Sequence, residues 1–302
     1  MSIHLSIHYS AENSDADSEY EMRDYEVPVQ GCKSTIRSIK PVDKDAANVT
    51  FPLLYWIHFG GWVLGSIEIE DYFLRMICVK LKISIVSLEY RLAPEYKFPV
   101  QNDDCYTGLK WAVENASLLS ADLSKGFIVG GASAGAHLSA VMTHRAKQDP
   151  FFFGKSITGQ VLQIPSLMHP NANHPERRRY KDEHRSMEDN KDIPGIDPKS
   201  MREMFDHWDA PPNDPEASPC LYPDQTGLPP AYFQLCELDP MRDDGVLYER
   251  LLREAGNKTK LDMYPGLPHL FHYLFPSVSM ATKFEEDFKD GMCWLLEAGS
   301  SI

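Results

Sequence analysis

The stretch Gly130-Gly-Ala-Ser-Ala-Gly-Ala136 sets one hydroxyl, Ser133, among residues with almost no side chain. It follows the apolar run Gly126-Phe-Ile-Val129 and leads into a helix-like run from Ala136. A chain that turns from strand to helix at one residue has room only for Gly and Ala around it, so the turning side chain is pushed out at the sheet end. Gly131-Ala-Ser133-Ala-Gly135 fits that geometry and makes Ser133 a candidate nucleophile. The pattern alone is weak, because small-residue turns also occur where a helix merely packs close to a strand. A serine needs a base within hydrogen-bond reach, and the base needs a carboxylate to fix its tautomer. Two loops that follow apolar runs offer both. Glu237-Leu-Asp239-Pro-Met-Arg-Asp-Asp-Gly245 supplies Asp239, with Glu237 and Asp243 as alternatives, and Gly266-Leu-Pro-His269-Leu-Phe-His272 supplies His269, with His272 as its rival. In His58-Phe59-Gly60-Gly61-Trp62, consecutive glycines leave backbone N–H groups unshielded, able to face an oxyanion developing on a substrate carbonyl. A plain glycine turn is the alternative account of those residues. His58 then braces the loop, and His137, one helical turn after Ser133, packs within its helix.

The elements that must position these residues alternate in kind. Strands are expected at Tyr25–Val29, Thr35–Ile39, Leu53–Phe59, Ile83–Tyr90, Gly126–Val129, Gly159–Ile164, Ala231–Cys236 and Lys260–Tyr264. Helices are expected around Ile69–Leu81, Asp103–Ala116, Ala136–Lys147, Gly245–Ala255 and Phe284–Leu296. In the fourth of these, Leu247, Leu251, Leu252 and Ala255 recur at helical spacing and form one buried stripe. Strands alternating with helices predict an α/β fold with a mostly parallel sheet covered on both faces.

One segment breaks the alternation. From Met168 to Pro198 the chain is charged and has almost no apolar periodicity, so it cannot build a core of its own. Met201, Met204, Phe205 and Trp208 then fall at i, i+3, i+4 and i+7, which predicts a helix with an apolar stripe. An insertion of this kind inside an α/β sheet reads as a lid over the strand ends. The Arg177-Arg-Arg179 cluster reads as a solvated part of it, and Arg91, Glu95 and Arg242 as structural ion-pair partners.

Composition excludes several classes of function. The 302 residues carry 30 basic and 44 acidic side chains, a formal charge of −14, which repels nucleic acid and anionic membranes. The six cysteines show no CxxC pairing or histidine clustering, so neither a disulfide framework nor a zinc site is implied. The first residues lack a basic start followed by an apolar core, and no run approaches the ~18 apolar residues of a membrane span. A cytoplasmic protein acting on a small molecule is the expectation, with no nucleic-acid partner and no stable membrane association. Self-association into a homodimer stays open.

The motifs together resemble the hormone-sensitive-lipase branch of the α/β-hydrolase superfamily. Matching residues run from Trp56 to Phe271: His58-Phe-Gly-Gly-Trp62, Tyr90-Arg-Leu-Ala-Pro-Glu95 with Phe98-Pro99, Gly131-Ala-Ser-Ala-Gly-Ala136, Asp214-Pro-Glu-Ala-Ser-Pro219, Leu228-Pro-Pro-Ala231, Asp239-Pro-Met-Arg-Asp-Asp-Gly245 and Gly266-Leu-Pro-His-Leu-Phe271. The resemblance implies the α/β-hydrolase fold in a single domain over 1–302, with about eight strands under a cap made from roughly 1–24 and 168–213. It also implies ester hydrolysis without a cofactor or metal, through Ser133, Asp239 and His269. Gly60 and Gly61, joined by the N–H of Ala134, form the oxyanion hole. Three positions depart from the family pattern: Phe59 stands where the first glycine after the histidine is usual, Ala132 replaces an Asp, and Ala136 replaces a Gly. These affect substrate shape, and Phe59, Trp62, Met204, Phe205 and Trp208 are the expected substrate contacts, with a short acyl group favoured. Fold and triad do not fix the reaction, so aryl formamides, lactones, C–C bond hydrolysis or an elimination remain alternatives. A non-catalytic receptor is a further alternative, but such a protein is expected to lose its base, and here all three positions are filled.

Overall fold

The structure is a computed structural model that describes residues 19–43, 49–173, 175, 179–180, 183–193 and 195–299. Eight strands form one sheet: β1 (Tyr20–Val29), β2 (Cys32–Pro41), β3 (Leu53–Ile57), β4 (Ser84–Leu88), β5 (Phe127–Ala132), β6 (Gly159–Gln163), β7 (Ala231–Cys236) and β8 (Thr259–Tyr264). Their spatial order is β1-β2-β4-β3-β5-β6-β7-β8. β1 pairs antiparallel with β2, and β2 antiparallel with β4. Every later pairing is parallel.

The central strands are apolar throughout because both faces are covered. Along β3 the side chains alternate: Leu53, Tyr55 and Ile57 join one core, whereas Leu54 and Trp56 join the other. The first face is covered by α2 (Val100–Glu114), which contributes Cys105 and Leu109, and by α3 (Ala134–Gln148), which contributes Leu138 and Met142. The helix Arg242–Glu254 extends this cover with Leu247, Tyr248 and Leu252 against Leu162 and Phe233. The opposite face is covered by α1 (Asp71–Leu81), through Leu74 and Ile77, and by the C-terminal helix Ser279–Gly299, through Phe288, Met292 and Leu295. Each such buried side chain contributes roughly 1.5–3 kcal/mol.

β1 starts five residues before the expected Tyr25. Residues 20–24, read from the sequence as part of the cap, are strand. Apolar periodicity could not reveal them, because β1 is an edge strand whose first half is largely solvated. Its register is set by pairing with β2, helped by the Arg37–Asp24 ion pair at 2.8 Å. The edge also accommodates Pro28, which has no amide to give to a ladder. The remainder of the expected N-terminal cap element, residues 1–18, lies outside the described residues, as do Arg177 and Arg178.

The insertion carries α4 (Ser186–Asp189) and α5 (Pro198–Trp208); the helices after it are α6 (Arg242–Glu254), α7 (Phe271–Leu274) and α8 (Ser279–Gly299). α5 begins where Asp197 accepts from the amides of Lys199 and Ser200, with Pro198 at its first position, and ends at Asp209 in the left-handed region. Its stripe of Met201, Phe205 and Trp208 is buried in the same core as α2 and α3. Among the described residues no helix is long and apolar enough to cross a membrane.

The fit of α8 to the sheet is close at Gly291, where an added Cβ would lie 2.0 Å from Cε1 of Tyr232. That ring cannot swing away cheaply, because its hydroxyl donates to Asp262 and lies 2.9 Å from the Asp287 carbonyl. Gly291→Ala is therefore expected to cost about 1–3 kcal/mol, read as a lower urea midpoint at constant m-value, with activity per folded molecule unchanged. An unshifted midpoint would mean that α8 slides freely on the sheet.

Candidate active site

The site begins with backbone geometry at the end of β5. Ser133 sits between Ala132, the last residue of β5, and Ala134, the first of α3, with φ 53° and ψ −116°. A serine gains nothing locally from that conformation, and positions of this kind cost on the order of 1–3 kcal/mol. The surroundings hold it there. The Ser133 amide donates to the Gln163 carbonyl at 2.8 Å, and the His137 amide returns to the Ser133 carbonyl at 3.0 Å. The flanking glycines are required by contact rather than by φ: a Cβ at Gly131 would lie 2.4 Å from the Ile57 carbonyl oxygen, and one at Gly135 would lie 1.9 Å from it.

Two loops complete a hydrogen-bonded line. Ser133 Oγ lies 3.1 Å from His269 Nε2, and His269 Nδ1 lies 2.6 Å from Asp239 Oδ2. The other carboxylate oxygen of Asp239 accepts from the Met241 amide at 2.8 Å, which fixes its plane. Asp239 and His269 are almost fully buried and Ser133 is 7% exposed, so only the hydroxyl end of the line reaches the surface. With the Asp239 anion accepting from Nδ1–H, the imidazole is held in the tautomer whose Nε2 accepts the serine proton.

The rival residues have other work. Glu237 accepts from the Gly266 amide at 2.7 Å, bracing the histidine loop. Asp243 accepts from the amides of Arg185 and Ser186, both at 2.6 Å. His272 stacks on Phe284 at 4.0 Å, and neither of its ring nitrogens has a partner among the described residues. His137 accepts from the Trp62 indole at 3.2 Å, as a packed histidine should. His58 braces its loop: its Nδ1 lies 2.8 Å from the Phe59 carbonyl and its ring stacks on Tyr90 at 4.1 Å. Arg91 pairs with Asp104 and Arg242 with Asp243, whereas Glu95 is exposed and its expected ion pair does not form among the described residues.

The glycine loop after β3 has φ 136° at Gly60 and 60° at Gly61, and Val63 and Leu64 both donate back to the Gly60 carbonyl. The amides of Gly60 and Gly61 find no acceptor among the described residues. Ala134, as the first residue of α3, has an amide without a partner in the helix. The glycine loop continues directly from Ile57, so its position is set by the contact of the Ile57 carbonyl with the turn at Ser133.

The expected substrate contacts divide. Met204, half-buried on α5, covers the glycine loop, for its Sδ lies 2.3 Å from where a Cβ on Gly61 would be. The Phe59 ring turns away from that side: it is 5% exposed, packs 5.0 Å from the Tyr273 ring and belongs to the core under α1 and α8. A phenyl group gains more from that apolar core than from a wet cleft, which is why the acyl-pocket expectation fails for Phe59. Trp62, Phe205 and Trp208 face one another, with the two indoles stacked at 4.0 Å and 2°. They fasten the cap to the glycine loop, and their burial leaves little ring surface for substrate. A cleft of about 680 Å³ lies within the insertion itself, lined by Met168, His184, Met187, Lys191, Pro198 and Arg202 among others.

Sequence reasoning missed the residues that fasten the insertion. Asp244 accepts from the amides of Leu167 and Met168 at 3.0 and 3.1 Å and lies 2.6 Å from His184 Nε2. Asn190 donates to the carbonyls of Glu237 and Asp239 at 3.1 and 3.0 Å. The repeated acids after Asp239 were the only signal, and they read equally well as a solvated helix start.

Four imidazoles here are buried and neutral. Burial pushes His58 down to about 4 and His137, His144 and His272 to about 3. Unfolded, each takes up a proton near the ordinary 6.5; folded, each resists until far lower pH. Stability is therefore lost as pH falls from about 6.5 towards 3–4, by about 1.4 kcal/mol per pH unit for each group. His272→Phe should keep the stack on Phe284 and flatten the fall of unfolding free energy between pH 6 and 4.5 by one such increment, measured by urea titration at each pH. A slope equal to that of the wild type would mean that the His272 ring is protonated as readily folded as unfolded.

A family model for the alpha/beta hydrolase fold matches residues 54–273. An AB hydrolase superfamily protein of Schizosaccharomyces pombe is 37% identical over 81% of this chain and 71% of its own length. The versiconal hemiacetal acetate esterase of Dothistroma septosporum is 36% identical over 81% of this chain and 74% of its own. The crystal structure of vibralactone cyclase is 43% identical, covers 94% of this chain and 82% of that one, and superposes with a TM-score of 0.91. Extended matches of this kind, over the same strands and turns that carry Ser133, Asp239 and His269, lead to one conclusion: the chain belongs to the α/β-hydrolase fold family and is an enzyme of the serine-hydrolase type.

Proposed function

We propose that the protein is a carboxylic ester hydrolase of the hormone-sensitive-lipase-like branch, acting on small esters with a short acyl group. The observation that carries this reading is the continuous line from Ser133 Oγ through both nitrogens of His269 to Asp239, beside two glycine amides without acceptors. Ser133 Oγ attacks the ester carbonyl carbon as its proton passes to His269 Nε2. The negative charge gathers on the former carbonyl oxygen, where the N–H groups of Gly60, Gly61 and Ala134 stabilise it. Collapse of the tetrahedral intermediate breaks the bond to the alcohol oxygen, which takes the proton from His269 and leaves. Water then attacks the acyl-serine with His269 as base, releasing the acid and restoring the hydroxyl. Asp239 stays ionised throughout and stabilises the imidazolium. The short acyl preference is supported by Met204 above Gly61 and by similarity to an enzyme named for an acetate ester.

Similarity to a cyclase supports a second reading of the same acyl-enzyme. If the acyl chain carries its own hydroxyl, that group, rather than water, can attack the acyl carbon with His269 as base, releasing a lactone. Incubation with a hydroxy-acyl p-nitrophenyl ester and product analysis separates the two: hydroxy acid for the hydrolase, lactone for the cyclase.

Ser133→Ala and His269→Ala are each expected to lower kcat on p-nitrophenyl acetate by roughly 10⁴–10⁶, with little further loss when combined. A tenth of the activity surviving in Ser133→Ala would remove the nucleophile assignment. Asp239→Asn should cost on the order of 10⁴ by misorienting the imidazole. Across acetyl, butyryl and octanoyl esters, Met204→Ala should raise kcat/KM for octanoyl relative to acetyl by roughly tenfold. Phe59→Gly should leave that profile unchanged; a shifted profile for Phe59→Gly with none for Met204→Ala would reverse their roles.

A further inference from the structure

Glu70 is the residue before α1, in the stretch Ser66-Ile-Glu-Ile-Glu-Asp71, and it is only 2% exposed while its neighbour Glu68 is exposed. Its two carboxyl oxygens reach two different loops. Oε2 accepts from the Phe59 amide at 3.3 Å, and Oε1 accepts from the Tyr273 hydroxyl at 2.8 Å. Phe59 is the residue before Gly60 and Gly61. Tyr273 lies four residues after His269, on α7, which starts after Leu270 in the left-handed region. The rings of Phe59 and Tyr273 pack together at 5.0 Å, so the two loops meet at a polar clasp and an apolar contact side by side.

A buried carboxyl is a costly way to fill space. Burial pushes this one up to about 7, although the Trp56 side chain, the Tyr273 hydroxyl and the Phe59 amide each favour its anion. An apolar side chain would fill the same volume without that cost, but it could not accept from both loops at once.

We infer that Glu70 is a positioning residue for catalysis, a clasp through Phe59 N–H and Tyr273 Oη that keeps the oxyanion amides of Gly60 and Gly61 in register with His269. It does not touch substrate. Its effect is on how well the oxyanion donors and the base serve the same tetrahedral centre, and a misplacement of about 1 Å there is worth roughly 10²-fold in rate. The loss therefore falls on kcat and leaves KM nearly unchanged.

The inference rests on the roles proposed for Ser133 and His269, so the test uses two readouts. One is kcat and KM on p-nitrophenyl acetate. The other is the rate at which a fluorophosphonate labels Ser133, a reaction in which the Oγ–P bond forms, fluoride leaves and the serine proton passes to His269. Glu70→Ala should lower kcat and the labelling rate by roughly 10²-fold with KM within about twofold. Glu70→Gln should return to within about fivefold of wild type, because its amide oxygen accepts from Phe59 while its NH₂ donates to Tyr273 Oη. Tyr273→Phe keeps the ring contact, removes one arm of the clasp and should cost roughly tenfold; added to Glu70→Ala it should cost nothing more.

Rates unchanged in folded Glu70→Ala, a Gln variant no better than Ala, a loss confined to KM, or losses that multiply in the double variant would each overturn the clasp. If Glu70→Ala does not fold, the Gln and Tyr273→Phe variants decide alone: the clasp stands on a mild Gln loss with a tenfold Tyr273→Phe loss, and falls if Tyr273→Phe is silent. Wild-type protein labelled at Ser133, with silent Glu70 and Tyr273 variants, would sink the clasp and leave the proposed function intact. Wild-type protein that labels nowhere at Ser133 would remove both.

Discussion

The site depends on how closely the end of β3 approaches the turn after β5. The Ile57 carbonyl occupies the space that a Cβ on Gly131 or Gly135 would need, so the two segments touch through backbone alone. That contact has two consequences. It sets the glycine loop, which continues directly from Ile57, beside Ser133, and it buttresses the left-handed serine, whose own preferences oppose the conformation. A methyl group at either glycine would push the Gly60 and Gly61 loop from Ser133 and relax the turn in one step. The motif is thus a statement about contact distance, and the chemistry follows from it.

The cap is held by two unlike interfaces. On one side the first turn of α6 offers carboxylates to backbone amides: Asp243 to Arg185 and Ser186, Asp244 to Leu167 and Met168. A charged insertion with few apolar residues cannot order itself, but its amides can be ordered by acceptors that the core supplies. On the other side, α5 docks through Trp208 on Trp62, with the Trp208 indole donating to Gln101 at 3.1 Å. The carboxylate that orients His269 and the two that anchor the insertion lie within six residues, and Asn190 ties the insertion to the Asp239 carbonyl itself. Cap position and acid position are set by one short stretch, the loop after β7 and the first turn of α6.

The histidines illustrate how one side chain takes opposite roles by environment. His269 has a carboxylate on one nitrogen and a hydroxyl on the other. His58, His137 and His272 lie within the same region with no ionic partner among the described residues, and burial keeps them neutral. Composition could not tell these apart, and neither could loop position, since His58 and His272 also lie beyond strand ends; the partners that folding brings to each ring do.

The amino-acid sequence by itself determined the eight strands, the layered helices and the positions of Ser133, Asp239 and His269, because apolar period, small-residue turns and loop placement are local properties of the chain. Helix α5 was equally legible through its i, i+3, i+4, i+7 stripe. Three things were decided only by the tertiary structure. The first half of β1 carries no apolar alternation, since an edge strand is specified by its partner's register. Phe59 was drawn to the core by Tyr273 and the rings around it, a neighbour more than two hundred residues away in the chain. Nothing in Ser66-Ile-Glu-Ile-Glu-Asp71 sets Glu70 apart from Glu68 or Asp71, and its burial between two loops exists only once β3 and β8 have brought those loops together. Local pattern fixes what an element is; which way a side chain on a loop turns is settled by the partners that folding delivers to it.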